Sequence, residues 1–159
     1  MEVEKSPIPL TPAQLLTLIP QQNPFRFVDA IVSVNAHSIE GHYTFKEDES
    51  FYGGHFPGQP ITPGVILLES MCQVGVVALG IYLLSLEVSE VEVRRWTTFF
   101  SDATTEFLKP VLPGQRVTIR AEKVFWRKKK LRCTIEMKTD DGVLVAQATA
   151  SGIGVRRND

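Results

Sequence analysis

Apolar and polar positions alternate along most of this chain, and one long stretch breaks the alternation. From Gly64 to about Leu86 the residues are apolar nearly all the way round. That pattern predicts a helix buried on most sides, not a surface helix with one wet face. Before it, Phe25 to Val34 and Ile39 to Phe45 are rich in β-branched and aromatic residues and read as strands. After it, strand-like segments occupy roughly 93–100, 103–109, 115–126, 130–139 and 143–154, with Asp140-Asp141-Gly142 as a hairpin turn between the last two. A short helix is expected from Thr11-Pro12-Ala13-Gln14 to before Pro20, with Thr11 as N-cap, Pro12 at the first helical position and Gln14 closing a capping box. Residues 1–10 read as a loose arm. One long helix among strands predicts an α+β domain, a long antiparallel sheet wrapped around a central helix. Gly75 and Gly80 weaken that helix but are expected to let its backbone approach the sheet.

The stretch from Tyr52 to Gly64 fits neither period. It holds Gly53, Gly54, Gly58 and Gly64 with Pro57, Pro60 and Pro63, so it cannot be a regular element. Its aromatic residues, Phe51, Tyr52 and Phe56, favour an ordered loop.

Composition narrows the classes. A chain of 159 residues, 43% hydrophobic and 22% charged, is expected to form one domain, 1–159, with no division into units. A formal net charge of -1 supplies no global field for nucleic acid or an anionic membrane. Glu69 and Gln73 interrupt the apolar run, and the part from Val74 to Leu86 is shorter than the ~20 residues of a membrane span. Cys72 and Cys133 have no metal-ligand spacing, and no metal or organic cofactor is expected. The first ten residues carry Glu2, Glu4 and Pro7 in place of a basic start and an apolar stretch, so a cytoplasmic location is expected.

Three positions carry candidate chemistry. Glu69 is the one formally charged side chain between Glu49 and Glu87, one turn into the buried helix. An isolated carboxylate there pairs, takes up a proton or does chemistry; the alternative is that it meets a partner at a subunit interface or groove. Gln73, four residues on, is placed to orient it. His55 sits in the glycine- and proline-rich loop, where it either acts chemically or caps a backbone carbonyl; His37 and His42 read as surface residues. Gly64 opens the helix, where unpaired N–H groups favour negative charge and the lack of a side chain lets a ligand approach. A base, an acid and an oxyanion donor are the roles that proton abstraction next to a carbonyl with loss of a β-hydroxyl requires.

The string His55-Phe56-Pro57-Gly58-Gln59-Pro60-Ile61-Thr62-Pro63-Gly64-Val65, followed by Glu69 and Gln73, resembles the motif of the 3-hydroxyacyl-acyl-carrier-protein dehydratases of the FabZ type. Pro24-Phe25 with Val28-Asp29, and Phe107 with Lys109-Pro110-Val111 and Pro113-Gly114, resemble that family's motifs on either side. The resemblance implies a hot-dog fold, with the helix from Gly64 as its filling. It implies dimers, often three to a hexamer, in which the histidine of one protomer faces the carboxylate of its neighbour. It gives His55 the α-proton, Glu69 the departing hydroxyl and the Gly64 N–H the thioester oxygen, with Phe56, Val65 and Gln73 among the substrate-binding residues. The product is then a trans-2-enoyl thioester, and the substrate arrives on an acyl carrier protein. Glu69 and Val65 resemble the plain dehydratases; the dehydratase-isomerases typically place Asp and Cys there.

Gln21-Gln22, Arg26, Glu106, Ser70 and Cys72 depart from the family's usual residues without touching the catalytic trio. The four cations Arg127, Lys128, Lys129 and Lys130 are either a solvated turn or a docking patch for an acidic carrier protein. Two rival functions use the same fold: an acyl thioesterase, which would release free thiol, and a non-catalytic acyl-binding subunit.

Overall fold

A computed structural model describes residues 8–158 of the chain. The elements are α1 (Pro12–Leu18), β1 (Ala30–Val34), β2 (Ser38–Thr44), α2 (Gly64–Cys72), α3 (Leu79–Ser85), α4 (Glu90–Val93), β3 (Trp96–Phe107), β4 (Arg116–Arg127), β5 (Lys130–Thr139) and β6 (Leu144–Arg156). A π-helical turn, Gln73–Ala78, joins α2 to α3, so Gly64 to Ser85 is one continuous helix. The strands form a single antiparallel sheet in the order β1-β2-β4-β5-β6-β3. This is the hot-dog arrangement expected from the sequence.

The helix lies against one face of the sheet. Met71, Val74, Val77 and Leu79 meet Val117, Ile119, Leu131, Ile135 and Met137 in one core, all nearly fully buried. By length and composition the helix would span a membrane, but 67% of its apolar window is buried inside this fold. Gly75 permits the approach: a Cβ there would lie 2.7 Å from the Ile135 side chain and 3.0 Å from that of Ala121. Gly80 behaves differently from the expectation. An added Cβ would have only the Leu131 side chain of β5 within reach, at 3.8 Å, so this glycine faces the sheet but is not pressed against it as Gly75 is.

The capping box at α1 is present, Thr11 Oγ1 accepting from Gln14 N at 3.2 Å and Thr11 N donating to Gln14 Oε1 at 2.9 Å. The call of a loose arm over residues 1–10 falls mostly on residues 1–7, outside the described residues; Leu10 is already buried in the core. Three strand expectations need correction. The segments at 93–100 and 103–109 are one strand, β3, whose pairing with β6 slips between Phe100 and Asp102. Glu90–Val93, of which only Val93 was expected in a strand, is a short helix capped by Ser89. Phe25 to Asp29 lies outside β1, because side chains of the central helix satisfy much of its backbone. Both cysteines are free and buried, Cys133 donating its S–H to the Gly75 carbonyl at 3.2 Å, and burial pushes each thiol up to about 12.

Candidate active site

The loop from Tyr52 to Pro63 is ordered by its own hydrogen bonds. Tyr52 and Thr62 share a hydroxyl–hydroxyl bond of 2.6 Å, and Thr62 N donates to the Val111 carbonyl at 2.9 Å. Phe56 and Gln59 exchange backbone bonds of 3.1 and 2.9 Å around Gly58, which takes a positive φ of 75°. His55 is held twice by Ile61: its carbonyl accepts from Ile61 N at 2.9 Å, and its Nδ1 lies 2.8 Å from the Ile61 carbonyl. A carbonyl only accepts, so Nδ1 carries the hydrogen; in the neutral ring Nε2 is left as a lone-pair acceptor. The half-exposed Phe56 ring stacks on the imidazole at 4.1 Å. Capping a carbonyl, one of the two roles open from sequence, falls to Nδ1, and Nε2 is the other end of the ring.

Gly64 follows directly. Pro63 offers no side-chain cap, so the first N–H groups of α2 have no intrahelical acceptor. A Cβ on Gly64 would stand 2.9 Å from the Phe107 ring, so this aromatic from β3 closes over the helix start. His55, Ile61, Thr62, Gly64, Leu67, Phe107, Leu108, Lys109 and Pro110 line one open concavity. Val65 projects outward, 73% exposed.

Glu69 does not line that concavity. Its Oε1 accepts from Gln73 Nε2 at 2.9 Å. Gln73 is fully buried with both ends of its amide bonded: its Nε2 also donates to the Phe25 carbonyl at 2.8 Å, and its Oε1 accepts from Phe27 N at 2.7 Å. Ser70, named from sequence only as a departure, donates to the Phe27 carbonyl at 2.7 Å. Arg26, another departure, donates to the Leu16, Ile19 and Gln21 carbonyls and closes the C-terminal end of α1. These bonds pin the segment before β1 against the helix face that carries Glu69. Within one protomer, therefore, His55 and Gly64 share a concavity and Glu69 faces another way.

The basic run lies elsewhere. Lys128 and Lys129 take positive φ values of 51° and 61°, making a two-residue turn between β4 and β5. Lys129 pairs with Glu87, and its carbonyl accepts from Gly154 N at 2.7 Å. This turn sits at the Trp96 end of β3, whereas the His55 concavity sits at the Phe107 end, roughly 35 Å away by strand rise. No group of three or more His, Cys, Asp or Glu side chains able to hold a metal exists among the described residues.

Residues 19–149 match the sequence model of the FabA-like domain. The 3-hydroxyacyl-[acyl-carrier-protein] dehydratase FabZ of Paramagnetospirillum magneticum is 36% identical over 86% of this chain and 82% of its own length. The protein of the same name from Nitratidesulfovibrio vulgaris is 31% identical over 92% of each. Among solved structures, a Haemophilus influenzae thioesterase superposes with a TM-score of 0.67 at 16% identity, covering 96% of both chains. The Escherichia coli PaaI protein superposes with a TM-score of 0.58 at 18% identity, covering 77% of this chain and 80% of that one. These two likenesses concern the fold alone.

Proposed function

This chain belongs to the FabA-like family, and from that premise we propose that it is a 3-hydroxyacyl-[acyl-carrier-protein] dehydratase of fatty acid or related lipid biosynthesis. His55 Nε2 takes a proton from the carbon next to the thioester carbonyl. The Gly64 N–H, at a helix start, stabilises the negative charge that gathers on the thioester oxygen. Glu69 donates a proton to the β-hydroxyl, the carbon–oxygen bond breaks, and water and a trans-2-enoyl thioester result.

The site is shared between two protomers. The observation that carries this reading is the separation within one chain: the base and oxyanion donor line one concavity, and the carboxylate is oriented by Gln73 on another face. A second copy supplies what is missing. β3 is the free edge next to β6, it is exposed along nearly its whole length, and it carries Phe99 and Phe100 exposed at 60% and 42%. A long, exposed edge that presents two adjacent aromatic side chains is the kind that pairs with another chain. Antiparallel pairing of β3 with its copy brings the partner's Trp96 end, and with it the partner's basic turn, alongside the Phe107 end of the first protomer. The acidic carrier protein then docks on the neighbour's turn, with Arg127, Lys128 and Lys130 exposed or half-buried and Lys129 tied to Glu87.

Hydration of a crotonyl thioester, followed as loss of enoyl absorbance, tests the reading. His55→Ala and Glu69→Gln are each expected to lose ~100-fold or more. Co-refolding the two inactive variants is expected to restore about a quarter of wild-type activity, because mixed dimers carry one intact shared site. No restoration would place both residues in a single-chain site. Release of free thiol in place of enoyl chemistry would make the protein a thioesterase.

A further inference from the structure

Tyr52 does not line the His55 concavity, yet it is tied to a residue that does. It is buried at the start of the loop, and its backbone N–H donates to the Glu49 carbonyl at 3.2 Å. Glu49 in turn accepts from the hydroxyl of Tyr43 on β2. The Tyr52 ring packs edge-on against Phe51, with centroids 4.8 Å apart. Sheet and aromatic neighbours therefore fix where the phenol oxygen lies. That oxygen meets Thr62 Oγ1, ten residues on at the far end of the loop, at 2.6 Å, inside the range of an O–H···O bond.

Thr62 passes this anchorage to the base. The planar peptide joining Ile61 to Thr62 is bonded on both sides: its N–H donates to the Val111 carbonyl at 2.9 Å, and its carbonyl accepts from His55 Nδ1 at 2.8 Å. One plane thus carries the acceptor that chooses the imidazole tautomer. The bonds between His55 and Ile61 hold the loop to itself. At its far end two bonds, both through Thr62, hold it to the rest of the fold: the N–H to Val111 and the hydroxyl to Tyr52. Both hydroxyls are buried, so water cannot replace either partner unless the loop moves. Burial also pushes the Tyr52 phenol up, so it stays a neutral hydroxyl where an imidazole titrates.

We propose that Tyr52 is a positioning residue for the dehydration: by holding Thr62 it fixes the Ile61 carbonyl that keeps the proton on His55 Nδ1, and so keeps the Nε2 lone pair aimed at the substrate. This rests on His55 being the base in the dehydratase reading. Tyr52 touches no substrate and acts only through Thr62 and Ile61. Without its hydroxyl, Val111 alone holds the far end of the loop. The imidazole then gains freedom to tilt, or to carry its proton on Nε2, where that nitrogen cannot take another from substrate. The side chains that line the concavity are unchanged, so turnover suffers and binding does not.

The test is crotonyl thioester hydration by Tyr52→Phe, which removes one oxygen and keeps the ring, beside Thr62→Val and Thr62→Ser. Tyr52→Phe and Thr62→Val are each expected to lower kcat ~10- to 100-fold, as a small misplacement of a reacting group does, with KM nearly unchanged. Thr62→Ser keeps a hydroxyl and should retain most of the turnover. The double variant Tyr52→Phe/Thr62→Val should lose no more than either single one, because both break the same bond. Nitrogen NMR of isotope-labelled histidine rings reads the change without substrate. The His55 signals, identified by their loss in His55→Ala, should show Nδ1–H in wild type and a mixture of tautomers in Tyr52→Phe. A Tyr52→Phe that melts lower but keeps both kcat and the tautomer overturns the proposal. If neither Tyr52→Phe nor Thr62→Val folds, the bond serves stability and the proposal fails too. Wild type inactive on every enoyl thioester would overturn the dehydratase reading instead; the tautomer of the free protein keeps the two failures apart.

Discussion

At the scale of single residues, the unusual side chain is the neutral one. Gln73 engages both N–H groups and its oxygen with partners from three places: the Glu69 carboxylate, the Phe25 carbonyl and the Phe27 N–H. Such a group both aims a carboxylate and ties down a strand-less segment. Gln73→Leu leaves a buried N–H and C=O unpaired, which costs about 1–3 kcal/mol each at most. Chemical denaturation should show that loss, and kcat should drop in the same variant because Glu69 loses its orienting donor. Gln73→Glu separates the two roles: it can still accept from Phe27 N, but it sets a second carboxylate against Glu69. Turnover should then suffer more than stability. The sequence made Gln73 legible by its spacing from Glu69; its two backbone partners lie 46 and 48 residues away and no local pattern encodes them.

At the scale of elements, the helix was readable from its long, mostly apolar run and the loop from its glycines and prolines. The π-helical turn was not, because it follows from how Gly75 and Val76 seat against β4, β5 and β6. Nor was the continuity of β3, since Ser101-Asp102 interrupts the apolar pattern at the bulge and imitates a turn. Glu90–Val93 alternates valine and glutamate like a strand, yet a Ser89 cap and its position between α3 and β3 make it helical. Glu87 links such elements. Burial opposes its ionisation, but bonds from Lys129 and Trp126 outweigh that and hold its carboxyl below the ordinary carboxylate range. A lowered folded-state value means stability present at neutral pH and lost as pH falls through and below that range. Melting temperatures of wild type and Glu87→Gln should therefore differ at pH 7 and converge in acid; parallel curves would mean that the bonds from Lys129 and Trp126 to Glu87 do not stabilise the fold.

At the scale of the whole molecule, charge is segregated although the sum is near zero. Arg94, Arg95, Arg156 and Arg157 join the turn Arg127–Lys130 at the Trp96 end, eight of the 17 Lys and Arg side chains. Proposed as the carrier's landing surface, this end makes a separable forecast. Reversing Arg127 and Lys128 to Glu should raise KM for carrier-bound substrate and leave a coenzyme A thioester alone, with the difference shrinking as salt rises. A proline at Ala103, whose N–H faces away from β6, should block the free edge of β3 and yield a folded monomer without turnover, checked by light scattering.

The two buried thiols have a use unconnected with catalysis. Cys72 sits on the helix and Cys133 on the sheet, 2% and 0% exposed, and neither ionises near neutral pH while the fold is closed. A thiol-trapping reagent reaches them only when the structure opens. Their labelling rates are native clocks on the two halves of the core: equal rates mean helix and sheet part together, and a faster Cys72 means the helix leaves first.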